Sequence, residues 1–418
     1  MDKYIIEGGK PLYGEVEIQS AKNAVLPLLA ASILTDERVV LHRCPRIRDV
    51  MNMIGILDEL GCKTRFEGDS LVIDSSDAVS HEIPSALAKE LRSSIFMLGS
   101  VIARFGKARI AYPGGCDIGL RPIDLHLKGL KSMSVEITED GGYINCSCVK
   151  LKGADVLLDC PSVGATENII LAAVKASGYT VIRNAAKEPE ILDLQNFLNA
   201  MGAKVAGGGT STVVVCGVKK LGGVEYTPMP DRIEAGTFLI ASAMCGGEML
   251  LKRTDANNIV SLIHKLREIS CKIAVKDDKI EIKSSGVRKS PKIVETMPYP
   301  GFPTDLQAQM TALACISEGS TLIVENLFET RFKHVPELIR MGADITVRGR
   351  AAFVRGVKTL KGADVVASDL RGGAALTLAA ISAEGQSSVT DLSHIDRGYS
   401  DFEYKLTELG AKIRRVHI

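Results

Sequence analysis

The 418-residue chain contains no tryptophan, and only 5% of its residues are aromatic. So few aromatic side chains leave little surface on which nucleic-acid bases could stack. The chain also lacks an excess of charge of either sign, because 51 lysines and arginines are balanced by 50 aspartates and glutamates. A net charge of +1 gives no global field that would attract nucleic acid or an anionic membrane. Any cationic chemistry must therefore be local.

Long apolar runs are absent as well, and no segment reaches the roughly 18 consecutive apolar residues of a membrane-spanning helix. The N-terminal sequence MDKYIIEGGK lacks the apolar region of a signal peptide. We therefore expect a cytoplasmic protein without membrane insertion, whose ten scattered cysteines are reduced. Neither a GxxxxGK[ST] phosphate loop nor an acidic metal cluster occurs in the sequence. The near-neutral charge leaves self-association open.

Internal repetition is the strongest pattern that the sequence does contain. A leucine-striped helix, a turn of small residues and a strand recur six times, for example as QNFLNAMGAKV and YKLTELGAKIR. Before each copy comes a polar residue and an alanine-rich apolar helix. These apolar helices are predicted to begin near Ser20, Glu90, Ser162, Asp231, Thr304 and Asp369, roughly 70 residues apart.

Each repeat is predicted to form strand, helix, strand, helix, strand, strand. The alanine-rich helices are apolar almost all round, which predicts that they are buried. Three repeats per globular domain would give an α/β protein of two similar domains. The break is predicted near residues 222–229, where GGVEYTPM has the composition of a crossover linker.

The first turns of the predicted apolar helices contain four cations, Lys22, Arg92, Arg232 and Arg371. A cation at this position opposes the helix dipole, whereas an anion between the cation and the helix N–H groups would be stabilised. The pattern therefore predicts a site for phosphate and carboxylate groups. Arginines that are merely solvated at the surface are the alternative.

The stretch YPGGCDIGLRPIDLH, residues 112–126, is predicted to be a loop between a strand over 108–112 and a helix beginning near Pro122. It places one thiol, Cys116, and one guanidinium, Arg121, beside a helix start. That setting lowers a thiol pKa and suits an acid or a nucleophile. The alternative is a long Gly/Pro turn with an incidental cysteine.

The motif PGGCDIGLRPIDLH resembles the lid loop of the enolpyruvyl transferase family, in the members that use UDP-N-acetylglucosamine, and the resemblance covers essentially the whole chain. It implies two inside-out α/β barrels, each of three βαβαββ repeats with the apolar helices inside. The implied domains are residues 20–228, with the lid loop at 113–122, and residues 1–19 plus 229–418. The active site would lie in the cleft between them, which the nucleotide sugar would close.

The resemblance further implies transfer of the enolpyruvyl group of phosphoenolpyruvate to the 3′-hydroxyl of UDP-N-acetylglucosamine, with C–O cleavage that releases phosphate. Because this is not phosphoryl transfer, the resemblance implies no cofactor and no metal, and the absence of a phosphate loop and of an acidic metal cluster is consistent with that. This is the first committed step of peptidoglycan synthesis. Cys116 matches the general acid of the family. Asp305 matches the residue that receives or orients the hydroxyl proton, and helix capping is its alternative role.

The remaining matches concern binding. Lys22, Asn23, Arg121 and Arg397 match ligands of phosphoenolpyruvate, and Lys22 and Arg397 are also counted as catalytic. The nucleotide-sugar pocket is matched by Arg92, Arg121, Pro122, Ile123, Asp124, Leu125, Ser162, Val163, Gly164, Asp305 and Leu327. Arg331, Asp369 and Arg371 match residues that close on the reaction intermediate. Cys160 departs from the family pattern, since many relatives have lysine there.

Two other functions remain open at this point. 5-Enolpyruvylshikimate 3-phosphate synthase shares the implied fold and donor but lacks the PGGC lid, so Cys116 disfavours it. A non-catalytic paralogue that binds the nucleotide sugar is disfavoured by the presence together of Lys22, Cys116, Asp305 and Arg397.

Overall fold

The computed structural model describes residues 2–114, 122–286 and 289–417. The chain divides into two compact units. The described part of one, here the inserted unit, is residues 20–114 and 122–229. The described part of the other, here the flanking unit, is residues 2–19, 230–286 and 289–417. Each unit has its own cluster of buried apolar side chains and, in its described residues, three four-stranded sheets.

In each sheet of the inserted unit, the first two strands in spatial order are parallel, and the remaining neighbours are antiparallel. The sheet that begins with Asp155–Leu157 is an example. In that sheet the spatial order is first, second, fourth, third along the repeat, as a βαβαββ unit requires. In spatial order, the three sheets consist of Val224–Tyr226, Val39–Leu41, Ser70–Asp74 and Lys63–Glu67; Glu82–Ile83, Lys107–Ala111, Tyr143–Ser147 and Glu136–Asp140; and Asp155–Leu157, Tyr179–Arg183, Thr212–Cys216 and Lys204–Ala206.

The flanking unit repeats this architecture with strands from both ends of the chain. Its sheets, in spatial order, consist of Lys272–Lys276, Lys279–Ser284, Gly247–Lys252 and Leu12–Glu17; Ile293–Glu295, Ser320–Val324, Ala351–Arg355 and Asp344–Arg348; and Asp364–Val366, Gln386–Thr390, Asp2–Glu7 and Lys412–His417. The N-terminal segment therefore completes two different sheets, one with Leu12–Glu17 and one with Asp2–Glu7.

A strand inside the predicted linker completes the first sheet of the inserted unit. Val224–Tyr226 pairs in parallel with Val39–Leu41. The prediction of a linker over 222–229 is therefore wrong for these three residues. Glycine and proline around a short strand gave the stretch a loop-like composition, while the partner strand lies far away in the sequence.

The six alanine-rich helices form the interior of the two units, as predicted. Their bounds are Lys22–Ser32, Phe96–Phe105, Val163–Ala173, Arg232–Cys245, Gln307–Cys315 and Leu370–Ser382. Small side chains let these helices approach closely. At Gly99, an added Cβ would lie 2.3 Å from the carbonyl oxygen of Asn168 on the neighbouring helix. Such burial on all sides explains why their sequences show no polar face.

A second set of helices is amphipathic and buries one face each. Their bounds are Arg48–Glu59, Asp124–Ser132, Pro189–Ala200, Val260–Glu268, Val335–Arg340 and Phe402–Glu408, and the remaining short elements are Ser85–Glu90 and the 3-10 turns Arg92–Ile95, Ala256–Ile259, Thr304–Leu306 and Leu392–Arg397. Side chains along strands such as Tyr143–Ser147 alternate between buried and partly exposed, so such a strand buries one face against the core. None of the described helices has the length and apolar character needed to cross a bilayer.

Candidate active site

Asp305 lies in the 3-10 turn Thr304–Leu306, directly before an apolar helix of the flanking unit. Arg331 donates a hydrogen bond from Nη2 to its Oδ1 at 2.7 Å, and Arg371 donates from Nη2 to its Oδ2 at 3.1 Å. Both arginine side chains are only 4% exposed, whereas the Asp305 side chain is 26% exposed. No side-chain hydrogen bond caps the turn. The carboxylate is thus bound by two guanidinium groups, and the capping role is wrong.

Aromatic rings border both guanidinium groups. The Arg331 Cζ atom is 5.6 Å from the ring centroid of Phe328, and the Arg371 Cζ atom is 5.5 Å from that of Tyr399. Burial is the largest single effect on the pKa of Arg371 and would lower it, but Asp305, Tyr399 and Asp231 together outweigh burial and raise that pKa above its ordinary value. The two guanidinium groups hold the Asp305 carboxylate in one orientation through charge-assisted hydrogen bonds.

Asp369 performs helix capping, which was the alternative role for Asp305. Its Oδ1 accepts hydrogen bonds from the N–H groups of Arg371 and Gly372, at 3.0 and 2.9 Å. A Cβ added at Gly372 would lie 2.8 Å from Asp369 Oδ2 and 3.2 Å from the Cβ of His334, so a larger residue would displace the capping carboxylate. These contacts fix the direction in which the Arg371 side chain leaves the helix.

His334 is a buried residue that the sequence argument did not select. Its side chain is fully buried, and neither ring nitrogen has a hydrogen-bond partner among the described residues. Burial lowers the pKa of His334 to about 4, although the negative charge of Asp369 opposes this effect. The imidazole is therefore neutral near pH 7 and adds no third positive charge to the Arg331 and Arg371 pair.

Glu325 is a second residue that was missed, and it joins two loops. Its carboxylate accepts hydrogen bonds from the hydroxyls of Thr296 and Thr304, at 2.9 and 2.8 Å. It also accepts from the N–H groups of Leu327 and Phe328, at 2.9 and 3.1 Å. Glu325 thereby anchors both the turn that carries Asp305 and the loop that begins with Leu327. A glutamate directly after the apolar run TLIV was the available sequence signal.

Arg397 ends the 3-10 turn Leu392–Arg397, also in the flanking unit. The predicted residues Asp305, Leu327, Arg331, Asp369, Arg371 and Arg397 therefore all belong to one unit, and direct side-chain contacts join Asp305, Arg331 and Arg371. The other described candidates belong to the inserted unit.

Lys22 is the first residue of its apolar helix in the inserted unit. Its Nζ lies 2.9 Å from Oδ2 of Asp49, with side-chain exposures of 13% and 2%. Asn23 follows it and is half-buried. Asp49 was not selected from the sequence, because nothing in the sequence indicates that the helix Arg48–Glu59 faces Lys22. This buried carboxylate supplies the negative charge that the Lys22 ammonium needs at a helix start.

Ser162 caps the apolar helix Val163–Ala173, and its side chain accepts a hydrogen bond from the N–H of Ala165 at 3.3 Å. A Cβ added at Gly164 would lie 3.0 Å from Cε1 of His126, so the imidazole packs directly against this turn. Nδ1 of His126 is 3.0 Å from Nδ2 of Asn168. The Ser162, Val163 and Gly164 turn thus has a buried polar support, and Asn168 is a member of it that the sequence argument missed.

Arg92 begins a 3-10 turn, and its Nη1 donates to the carbonyl oxygen of Pro113 at 3.3 Å. The strand predicted over 108–112 spans Lys107–Ala111, and the helix predicted near Pro122 begins at Asp124. Pro122 and Asp124 are exposed, Ile123 is buried and Leu125 is half-buried. Cys116 and Arg121 lie outside the described residues.

The cations at the helix starts have protein partners. Asp49 and Asp305 balance Lys22 and Arg371, and the Arg232 Cζ atom is 5.8 Å from the ring centroid of Tyr299. Carboxylates of the protein thus account for part of the pattern that predicted an anion. Groups of three or more possible metal ligands do not occur in the part of the chain that the structure describes.

A family model described as EPSP synthase (3-phosphoshikimate 1-carboxyvinyltransferase) matches residues 6–406. UDP-N-acetylglucosamine 1-carboxyvinyltransferase 2 of Caldanaerobacter subterraneus subsp. tengcongensis is 53% identical over 416 residues, which cover 100% of both chains. The chain belongs to the enolpyruvyl transferase family. Another enolpyruvyl transferase, UDP-N-acetylglucosamine 1-carboxyvinyltransferase of Nitratidesulfovibrio vulgaris, is 48% identical over 417 residues and 99% of each chain.

The fold of enolpyruvyl transferases is found in the solved structures too. The enolpyruvyl transferase NikO from Streptomyces tendae matches with a TM-score of 0.89, at 23% identity and with 99% of each chain covered. The predicted fold class, an α/β protein with buried apolar helices and repeated βαβαββ units, is thereby confirmed.

Proposed function

We propose that this chain transfers the enolpyruvyl group of phosphoenolpyruvate to the 3′-hydroxyl of UDP-N-acetylglucosamine and releases phosphate. The observation that carries the proposal is the 53% identity, over the full length of both chains, to a relative that has this activity in its name. In a cell, this reaction would begin the committed synthesis of peptidoglycan, and we place it in the cytoplasm, where the nucleotide sugar is made.

The reaction is an addition followed by an elimination. C3 of phosphoenolpyruvate gains a proton while the sugar hydroxyl attacks C2 and loses its own proton. The tetrahedral intermediate then loses the C3 proton and the phosphate, by cleavage of the C2–O bond, so that the enol ether remains. Both the carboxylate and the phosphate of the intermediate require preorganised positive charge.

Asp305 receives or orients the hydroxyl proton in this proposal. Its partly exposed carboxylate and its two buried arginine partners support the role, since the ionised oxygen is accessible while its position is held. Arg331, Arg371 and the capping Asp369 close on the intermediate. Cys116 is the general acid, and Lys22, Asn23, Arg121 and Arg397 bind phosphoenolpyruvate.

The nucleotide sugar occupies the second set of residues. Arg92, Arg121 to Leu125, Ser162, Val163, Gly164, Asp305 and Leu327 form its pocket in this proposal. The buried His126 and Asn168 pair supports the Ser162 turn and would hold that part of the pocket in place. Cys160 is exposed, so the edge beside it offers the nucleotide a thiol where many relatives have an ammonium group.

Release of inorganic phosphate from phosphoenolpyruvate tests the function directly. It should be measured with UDP-N-acetylglucosamine, with shikimate 3-phosphate and with neither acceptor. Release only with the nucleotide sugar is expected. Release only with shikimate 3-phosphate would establish instead the activity that the family model describes. Saturable binding of the nucleotide sugar without release would indicate the non-catalytic paralogue.

Cys116→Ser tests the acid role in the same assay. A serine hydroxyl is a much weaker acid than a thiol, so kcat should fall ~10²- to 10⁴-fold. Cys216→Ser, at a half-buried thiol outside the proposed site, is the control and should leave kcat unchanged. Equal kcat values for the Cys116→Ser variant and the wild type would remove Cys116 from the mechanism.

A further inference from the structure

We infer that Gln19 is a positioning residue for Arg397, because its side-chain amide binds the backbone on the C-terminal side of that arginine. This inference rests on the proposed function, in which Arg397 binds phosphoenolpyruvate. Gln19 follows the strand Leu12–Glu17 and is the last residue of the N-terminal segment of the flanking unit. It is half-buried and lies 378 positions before Arg397 in the sequence.

The side-chain amide of Gln19 makes two hydrogen bonds to the turn after Arg397. Its Nε2 donates to the carbonyl oxygen of Gly398 at 2.8 Å, and its Oε1 accepts from the N–H of Ser400 at 3.0 Å. A primary amide is the side chain that can donate and accept at this spacing. In the opposite amide orientation, Nε2 would face the N–H of Ser400 and Oε1 would face the carbonyl oxygen of Gly398, and neither pair could form a hydrogen bond. The two partners therefore fix the orientation of the amide.

The backbone of Gln19 is itself held on both sides. Its N–H donates to Oε2 of the fully buried Glu234 at 2.7 Å, and Lys405 binds the other carboxylate oxygen at 2.6 Å. Its carbonyl oxygen accepts from the N–H of Asp231 at 2.9 Å. The amide therefore projects from an anchored backbone and not from a free segment, which makes it an effective support.

The turn that Gln19 supports is also held by the buried Tyr399, whose hydroxyl lies 2.9 Å from Oγ1 of Thr237. The N–H groups of Gly398 and Tyr399 both bond to the carbonyl oxygen of Ile395, which fixes the side that enters the turn. On the side that leaves the turn, the two bonds from Gln19 hold the backbone at Gly398 and Ser400. Without them, Arg397 would remain in place on average but sample more orientations, and its contact with a bound anion would weaken.

The test is steady-state phosphate release with Gln19→Met, which keeps the length of the side chain but loses both hydrogen bonds. We expect kcat/KM for phosphoenolpyruvate to fall ~10-fold, while KM for UDP-N-acetylglucosamine stays unchanged. Gln19→Glu should show a similar or larger defect, because a carboxylate oxygen would face the carbonyl of Gly398. Gln195→Met is the matched control, since the Gln195 side chain also accepts a backbone hydrogen bond, from Gly208 in the inserted unit.

A double-mutant cycle separates positioning from a general structural effect. If Gln19 acts through Arg397, Gln19→Met should cause no further decrease in kcat/KM for phosphoenolpyruvate when Arg397 is already replaced by alanine. Additive losses, an equal rise of both KM values, or wild-type kinetics in Gln19→Met would each overturn the inference. Absence of phosphate release by the wild-type protein would instead refute the proposed function, so the two failures can be told apart.

Discussion

Asp305 shows how neighbouring charges, and not the residue type, give a side chain its role. In the sequence, an aspartate before an apolar helix predicts a cap as readily as a base. In the folded chain, the carboxylate contacts Arg331 and Arg371, which are both buried. Such a carboxylate is held in a fixed orientation, as a proton acceptor requires.

Asp305→Asn should lower kcat for phosphate release ~10²- to 10⁴-fold, because the amide cannot accept a proton. Asp155→Asn is the control, since Asp155 also pairs with an arginine, Arg183, but both are exposed. It should leave kcat unchanged. Melting temperatures of both variants show whether unfolding contributes. A loss of less than about tenfold would leave Asp305 with an orienting role only.

Glu167 is a buried acid that the proposed mechanism does not use. It lies in the apolar helix Val163–Ala173, is fully buried, and neither carboxylate oxygen has a hydrogen-bond partner among the described residues. Burial, together with the negative charges of Glu190 and Glu188, raises the pKa of Glu167 well above its ordinary value of 4.5. The folded state therefore keeps a proton that the unfolded chain loses.

This difference predicts how stability depends on pH. The stabilisation that comes from the raised pKa is complete below pH 4.5 and is lost as the pH rises towards the pKa of the folded state. Glu167→Gln removes the titration, so its free energy of unfolding relative to wild type should increase between about pH 5 and pH 8. Urea unfolding at several pH values measures this, with the exposed Glu136→Gln as control. A difference that does not change with pH would contradict the assignment.

At the scale of elements, loops and turns near the candidate residues depend on single side chains, one buried and one half-buried. Glu325 holds the turn at Thr304 and the loop at Leu327, and Gln19 holds the turn after Arg397. Loops placed in this way need no hydrophobic core of their own. The apolar helices and the sheets provide the rigid frame from which these supports act.

Glu325→Gln should lower the free energy of unfolding by about 1–3 kcal/mol, because it removes the charge that strengthens four hydrogen bonds. It should also reduce kcat, since the turn that carries Asp305 loses its anchor at Thr304. Glu295→Gln is the control, because Glu295 is exposed and accepts a hydrogen bond from Asn326 in the same region. If Glu325→Gln has the same free energy of unfolding as the wild type, the charge of Glu325 is not needed to stabilise the two loops.

At the scale of the whole molecule, each described sheet is built only from strands of one unit. Every described strand of the three inserted-unit sheets comes from residues 39–226. The flanking unit needs both ends of the chain, because Asp2–Glu7 pairs antiparallel with Lys412–His417. In that pairing Asp2 lies opposite His417, so the start and the end of the described chain are neighbours.

Residues 20–229 expressed alone should therefore fold with a cooperative thermal transition. Residues 230–418 alone should not, because they lack two strands. The same residues followed by a short glycine linker and residues 2–19 should fold, since the linker only joins two neighbouring strand ends. Circular dichroism melts of the three chains are the measurement. Cooperative folding of residues 230–418 by themselves would show that the N-terminal strands are dispensable.

Local patterns in the sequence determined much of this protein. Alanine-rich apolar segments at a regular spacing indicated six buried helices, and the leucine stripes indicated six amphipathic ones, because helix formation and burial depend on residues close in the chain. The lid motif and the cations at the helix starts indicated the enzyme family and most of the candidate residues.

The tertiary structure alone decided which distant residues meet. That Asp49 faces Lys22, that two arginines bind Asp305, and that Gln19 supports the turn after Arg397 depends on pairings across tens to hundreds of residues. The same holds for the strand Val224–Tyr226, whose composition predicted a linker. Hydrogen bonds and ion pairs of this kind leave no periodic pattern in the sequence, because they depend on positions in space and not on spacing along the chain.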